Sequence, residues 1–179
     1  ASPPWTSIRE LKQASLKLEK EGAAEDPEYL KWLQMLISPG SSLGGARPKA
    51  SVMDPKGHLW IAKFPSGHDH IDIGAWEITA HTMAKAFGIE VSEAKAQRFT
   101  SRHHTFMTKR FDRSKNDARL HFASAMTMLG HNDGTDFQDG ASYLELAEFL
   151  MQNGARPDRD LEQLWRRIAF NVAISNCDD

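Results

Sequence analysis

Of 179 residues only one is cysteine, Cys177, so no disulfide can close within the chain. No stretch of about 18 apolar residues is present to span a bilayer, and no charged-then-apolar leader precedes the first structured segment. Charge of one sign is missing as well: 22 Lys and Arg stand against 24 Asp and Glu, a formal net charge of -2. The broad electrostatic footprint of a general nucleic-acid or membrane-surface binder is therefore absent. These absences predict a protein of a reducing, cytoplasmic compartment, with no membrane contact and no direct nucleic-acid binding. With 40% hydrophobic residues the chain has enough apolar material for one large domain or two small ones.

Helical signals come first. Ser7-x-x-Glu10 reads as a capping box, with Ile8, Leu11, Leu16 and Leu18 behind it, predicting a helix over roughly residues 7–20 that Gly22 stops. Asp26-Pro27 opens a second helix through Tyr29, Leu33, Leu36 and Ile37. The Ser38-Pro39-Gly40 break leads into a glycine-bearing loop that runs to Lys49. Two runs, Ala50 to Met53 and Leu59 to Phe64, flank Asp54-Pro55-Lys56-Gly57 and read as a β-hairpin. Alternation places Lys63 on the face of Leu59 and Ile61, an unusual position for an ammonium. Ile73, Trp76, Ala80, Met83, Ala84 and Phe87 then recur at helical spacing between Asp72 and Gly88. A second hairpin is expected from Ala94–Phe99 and Thr105–Phe111. After a polar stretch with a short helix near 121–129, Ser142-x-x-Glu145 and Pro157 open two further helices. The chain reads as α+β first and helical afterwards.

Several chemistries lack their residues. His68, His70, His103 and His104 have neither paired cysteines nor an H-E-x-x-H spacing to make a zinc site. Asp133, Asp136 and Asp139 miss the ligand alternation of a calcium loop. Methionines 83, 107, 126, 128 and 151 read as gap fillers. The basic run Arg98, Arg102, Lys109, Arg110, Arg113, Lys115 and Arg119 reads as a solvated face, with nucleic-acid or acidic-partner contact as the alternative. What remains is an ordered set. A glycine loop precedes a strand, where backbone N–H groups can surround phosphate oxygens. A mid-strand lysine follows one hairpin later, and Glu77 is the sole acid in the body of the next helix. A strand lysine held ionised by a helix glutamate is positioned for phosphate. Glu77 could equally be a solvated helix residue.

The particular words narrow this order. Ser41-Ser42-Leu43-Gly44-Gly45-Ala46-Arg47-Pro48-Lys49-Ala50, Ile61-Ala62-Lys63-Phe64-Pro65, Glu77 with Ala84-Lys85-Ala86-Phe87-Gly88-Ile89, Lys109-Arg110-Phe111-Asp112-Arg113 and Asn176-Cys177-Asp178-Asp179 closely resemble the HipA-like serine/threonine kinases from about residue 38 onward. The resemblance implies a protein-kinase-like α+β fold in three parts: leading helices over 1–38, an amino lobe of β-hairpins and a C-type helix over 39–113, and the first helices of an α-helical carboxy lobe over 114–179. It implies ATP and Mg²⁺ as cofactors and transfer of the γ-phosphoryl to a protein hydroxyl. Lys63 would contact ATP phosphates with Glu77 as its partner. Ser42, Gly44 and Gly45 would lie in the phosphate-binding loop, Lys109 and Phe111 at the adenine hinge, and Asp178 would be the catalytic aspartate. Ser42 matches the position at which family members autophosphorylate and become inactive. A phosphate there adds about -1.5 to -2 charges where those of ATP must sit. An aminoacyl-tRNA synthetase as protein substrate and a DNA-binding antitoxin as partner follow from the same likeness, and a non-catalytic module contacting such a partner is the alternative. Since the family's D-x-H-x-x-N catalytic loop continues past Asp178-Asp179, the chain is expected to be a fragment with no metal ligand of its own and no activity by itself.

Overall fold

Two-residue alternation in the strands sorts the sheet into two chemically different faces, and each face takes its own helix. The computed structural model describes residues 3–36, 47–99, 101–114, 118–132 and 134–176. Four antiparallel strands, β1 (Lys49–Met53), β2 (Leu59–Lys63), β3 (Ala94–Gln97) and β4 (Thr105–Lys109), lie in the order β1-β2-β4-β3. Register pairs Val52 with Trp60, Ala50 with Ala62 and Ala62 with Met107. These residues share one face and are buried there with Ile8 and Leu11 of helix α1 (Ile8–Leu18), while Phe64 just beyond β2 joins them. Trp5 packs edge-on to Trp60 with ring centroids 5.5 Å apart, and the ammonium of Lys95 stands 3.8 Å from the Trp5 ring. On the opposite face Lys63 pairs in register with Phe106 and Lys49. Helix α3 (Ile73–Ala86) sends Glu77 and His81 to this face.

Both predicted hairpins form, and the turn chemistry of the first is as expected. Gly57 takes φ 80°, and the Asp54 carboxylate accepts from the N–H groups of Lys56 and His58 and from Trp60 Nε1. Burial works against the Asp54 charge, but these donors outweigh it and hold the carboxyl down at about 2. The helix starts differ more from expectation. Ser7 makes no side-chain cap on α1, because the chain enters the helix through a 3₁₀ turn at Trp5–Ser7 and Ser7 already has helical dihedrals. The helix is also shorter than predicted, ending at Leu18. Its buried face includes Lys12 and Ser15 beside Ile8, Leu11 and Ala14, and burial pushes the Lys12 ammonium down. Helix α2 (Tyr29–Leu36) starts later than Asp26-Pro27 suggests, since a 3₁₀ turn at Ala23–Glu25 intervenes and Asp26 instead accepts from the Glu28 N–H.

By their contacts the described residues form two compact units, one of Ala1–Thr82 with Ser92–Leu120 and one of Met83–Val91 with His121–Asp179. In the second, helices α4 (Ala125–Leu129), α5 (Tyr143–Asn153) and α6 (Pro157–Ala173) follow in sequence. Ser124 and Ser142 cap α4 and α5 by accepting from Thr127 N–H and Glu145 N–H, and Pro157 occupies the first turn of α6. The reciprocal half of the second capping box is replaced, since the Glu145 carboxylate lies 2.7 Å from His131 Nε2. Helix α6 grips the segment after α3: Arg166 and Gln163 donate to the carbonyls of Phe87 and Gly88, Arg167 donates to that of Glu90, and Arg159 pairs with the Glu90 carboxylate. That explains why residues 83–91 associate with this unit rather than with the sheet.

Candidate functional site

Lys63 is the last residue of β2, and its neighbours on that face are Phe106 and the first half of α3. Its ammonium lies 2.7 Å from Glu77 Oε2 and 5.6 Å from the Phe106 ring centroid. The side chains are 37% and 23% exposed, so the pair sits at the edge of the packed surface with the lysine partly open. Glu77 is thus the lysine's partner and not a solvated helix residue. A lone ammonium on an apolar face is costly. The carboxylate offsets that cost and fixes the direction of Nζ.

Glu77 reaches Lys63 because the start of α3 is tightly fixed. Asp72 caps the helix by accepting from the Ala75 N–H, and its carboxylate also accepts from the backbone N–H of His104 and lies 2.7 Å from His104 Nδ1. Burial raises the Asp72 carboxyl, but the His104 bonds overcome this and bring it to about 2. Gly74 in the first turn rests on the His104 carbonyl so closely that a β-carbon would overlap it. The connection of β2 to α3 is pinned a second time. Arg47, at the exit of the glycine loop, forms a two-pronged bond to Asp69, Nη1 to Oδ1 at 3.0 Å and Nη2 to Oδ2 at 2.5 Å. Asp69 also accepts from the Ser66 N–H, and Glu19 from the end of α1 accepts from Ser66 Oγ and the Gly67 N–H.

Of the residues singled out in the sequence, Lys63 and Glu77 are brought together. Ser42, Gly44, Gly45 and Asp178 lie outside the described residues. Lys109 is the last residue of β4 and Phe111 lies two residues beyond it. The Lys109 N–H donates to the Glu93 carbonyl and the Arg110 N–H to that of Leu59, while the Phe111 side chain is 62% exposed. The basic run around them is not a uniformly solvated face. Arg110 and Arg113 are only 11% and 10% exposed and both bind Asp112, at 2.7 and 2.9 Å. The Arg110 bond is the main reason the Asp112 carboxyl is held below its ordinary range. Among the described residues no group of three or more His, Cys, Asp or Glu could hold a metal ion, and no helix is long and apolar enough to cross a membrane. Met107 is fully buried, whereas Met83, Met126, Met128 and Met151 are exposed, so gap filling describes the first of them only. Asp69 and Glu19 escaped the sequence reading, because 22 and 47 residues separate them from the groups they hold and neither stands in a local pattern.

The chain matches the family described as HipA-like C-terminal domain over residues 41–179. The chain belongs to that family. Among solved structures, this HipA-like chain is similar to one in the Shewanella oneidensis MR-1 toxin–antitoxin complex of HipA, HipB and operator DNA, with a TM-score of 0.62 and 19% identity. The match covers 85% of the present chain and 43% of the other, so the chain spans less than half the length of that relative. At this identity the likeness concerns the fold, a mixture of helices and antiparallel sheet. No curated protein sequence matches the chain. The family match begins within the Ser41–Lys49 loop word and includes Lys63, Glu77 and the Arg110–Arg113 network.

Proposed function

We propose that this HipA-like chain forms the ATP-binding part of a serine/threonine protein kinase of the toxin–antitoxin type, with a kinase-like amino lobe followed by the first helices of the carboxy lobe. The observation that carries this reading is the 2.7 Å bond from the strand lysine Lys63 to the helix glutamate Glu77. A partly open ammonium held in one direction by a carboxylate, next to the exit of a glycine loop, is suited to hold phosphate oxygens. In this reading Lys63 binds ATP phosphates and Glu77 orients Lys63. The residues Ser42, Gly44 and Gly45 contribute the loop, with Ser42 as the autophosphorylation site, and Asp178 orients the substrate hydroxyl. Since the Lys109 and Arg110 N–H groups are engaged within the sheet, adenine recognition near Phe111 falls to other backbone groups of the 109–111 segment. Mg²⁺ would neutralise charge developing on the transferred phosphoryl. Among the described residues no group of three or more His, Cys, Asp or Glu gathers to bind it. A protein hydroxyl as acceptor, an aminoacyl-tRNA synthetase as its source, and a DNA-binding antitoxin as partner extend the same reading.

Calorimetric titration with ATP tests it. Heat of binding that disappears in Lys63→Met supports the proposal, and equal titrations of the two proteins, or no binding by either, would overturn it.

A further inference from the structure

Arg47 at the exit of the glycine loop and Lys63 at the end of β2 each have their own carboxylate. Lys63 holds Glu77, and Arg47 holds Asp69. The two pairs are neighbours: the Phe64 N–H donates to the Pro48 carbonyl at 2.9 Å, and Lys49 and Lys63 are register partners, which sets Arg47 beside the end of β2. Arg47 also feels the charge of Glu77, in addition to its bonds with Asp69. A planar guanidinium binds a carboxylate through two parallel bonds where an ammonium acts as a point charge, so an unrestrained Arg47 would be the stronger partner for Glu77.

We propose that Asp69 is a positioning residue that occupies Arg47 and so reserves Glu77 for Lys63. It is placed for this task. Its side chain is only 9% exposed, against 32% for Arg47. Its Oδ2 also accepts from the Ser66 N–H at 2.9 Å, which holds the carboxylate to the turn after β2. The Ser66–Gly67 turn that carries it is in turn held by Glu19 of α1, so the leading helix supports the arrangement from outside the hairpins. Asp69 acts on the site through Arg47. The purpose of the arrangement rests on the ATP-phosphate reading of Lys63, but the arrangement itself is measurable without nucleotide.

The test is the rate at which an amine-acylating reagent modifies Lys63 in the folded chain, followed by peptide mass spectrometry. An ammonium held on a carboxylate reacts slowly. In Asp69→Asn and Asp69→Ser, both of which keep an oxygen for the Ser66 N–H, Arg47 moves to Glu77 and Lys63 labelling rises roughly threefold, the scale of losing one part-exposed ion pair. Arg47→Met and the double variant Arg47→Met/Asp69→Asn label at the unaltered rate, because no competitor for Glu77 remains. If Asp69 merely anchored the loop, Arg47→Met would match Asp69→Asn. That match, or unchanged labelling in both Asp69 variants while circular dichroism shows them folded, would overturn the proposal. Failure of ATP to bind the unaltered chain overturns the kinase reading and leaves this result intact.

Discussion

Asp72 joins two segments distant in sequence through a single side chain: one oxygen accepts the Ala75 N–H at the start of α3 and the His104 N–H before β4, and the other lies 2.7 Å from the His104 ring. The helix that carries Glu77 is thereby fastened to the sheet that carries Lys63, so the geometry of the pair depends on a carboxylate outside it.

This fastening has a pH signature. The Asp72 carboxyl is lowered from 3.8 to about 2 in the folded chain. A depressed carboxyl stabilises the fold above its unfolded value and loses that contribution as pH falls through the folded one. Stability due to Asp72 is therefore full above about pH 4 and disappears between about 4 and 2, with a magnitude of about 2 kcal/mol. Asp54, lowered to about 2 as well, adds loss in the same window. Urea unfolding midpoints measured from pH 7 down to pH 2 should fall there, and the fall should be shallower in Asp72→Asn.

Gly74→Ala should destabilise the first unit by about 1–3 kcal/mol, the usual cost of forcing an extra carbon into packed structure. The added β-carbon would meet the His104 carbonyl, which belongs to backbone and has little room to yield. Thermal unfolding reads the loss directly. A melting temperature equal to that of the unaltered chain would show that α3 can slide away from the β3–β4 connection.

Glu77→Gln separates stability from binding. The pair is partly exposed, so replacing the carboxylate should change folding stability by less than about 1 kcal/mol. Affinity for ATP should fall by roughly tenfold or more, since Lys63 loses the partner that directs it and a bond to a charged group is worth about 1.5–3 kcal/mol. Chemical denaturation and calorimetry on one preparation give both numbers.

Asp112→Ala should be costly for the opposite reason. Arg110 and Arg113 are both nearly enclosed and both bind this carboxylate, so its removal weakens the compensation of two guanidinium charges. A loss of about 2–4 kcal/mol in unfolding free energy is expected, compared with under about 0.5 kcal/mol for an exposed residue such as Glu25.

The two hairpins, the α3 helix and its limits, and the Lys63–Glu77 candidates were legible in the sequence, because period-2 and helical alternation, a Pro-Gly turn and an Asp N-cap are all local signals. Local signals also misled where the chain had a competing local option. Ser7 is the last residue of a 3₁₀ turn, so its capping pattern is not used, and Trp76, which belongs to the apolar repeat of α3, is 64% exposed. The basic run read as solvated because a count of charges cannot register that Asp112 lies between two of its arginines and binds both.

The sequence by itself determined which residues alternate on each strand, where α3 begins and ends, and which family the loop and R-F-D-R words belong to. These depend on neighbours within a few positions, where backbone sterics and hydrogen-bond spacing act. Only the tertiary structure decided that Glu77 meets Lys63, that Asp69 holds Arg47, and that Glu19 supports the turn between them. Those relations join residues 14, 22 and 47 positions apart, and their partners are selected by which groups burial leaves without water.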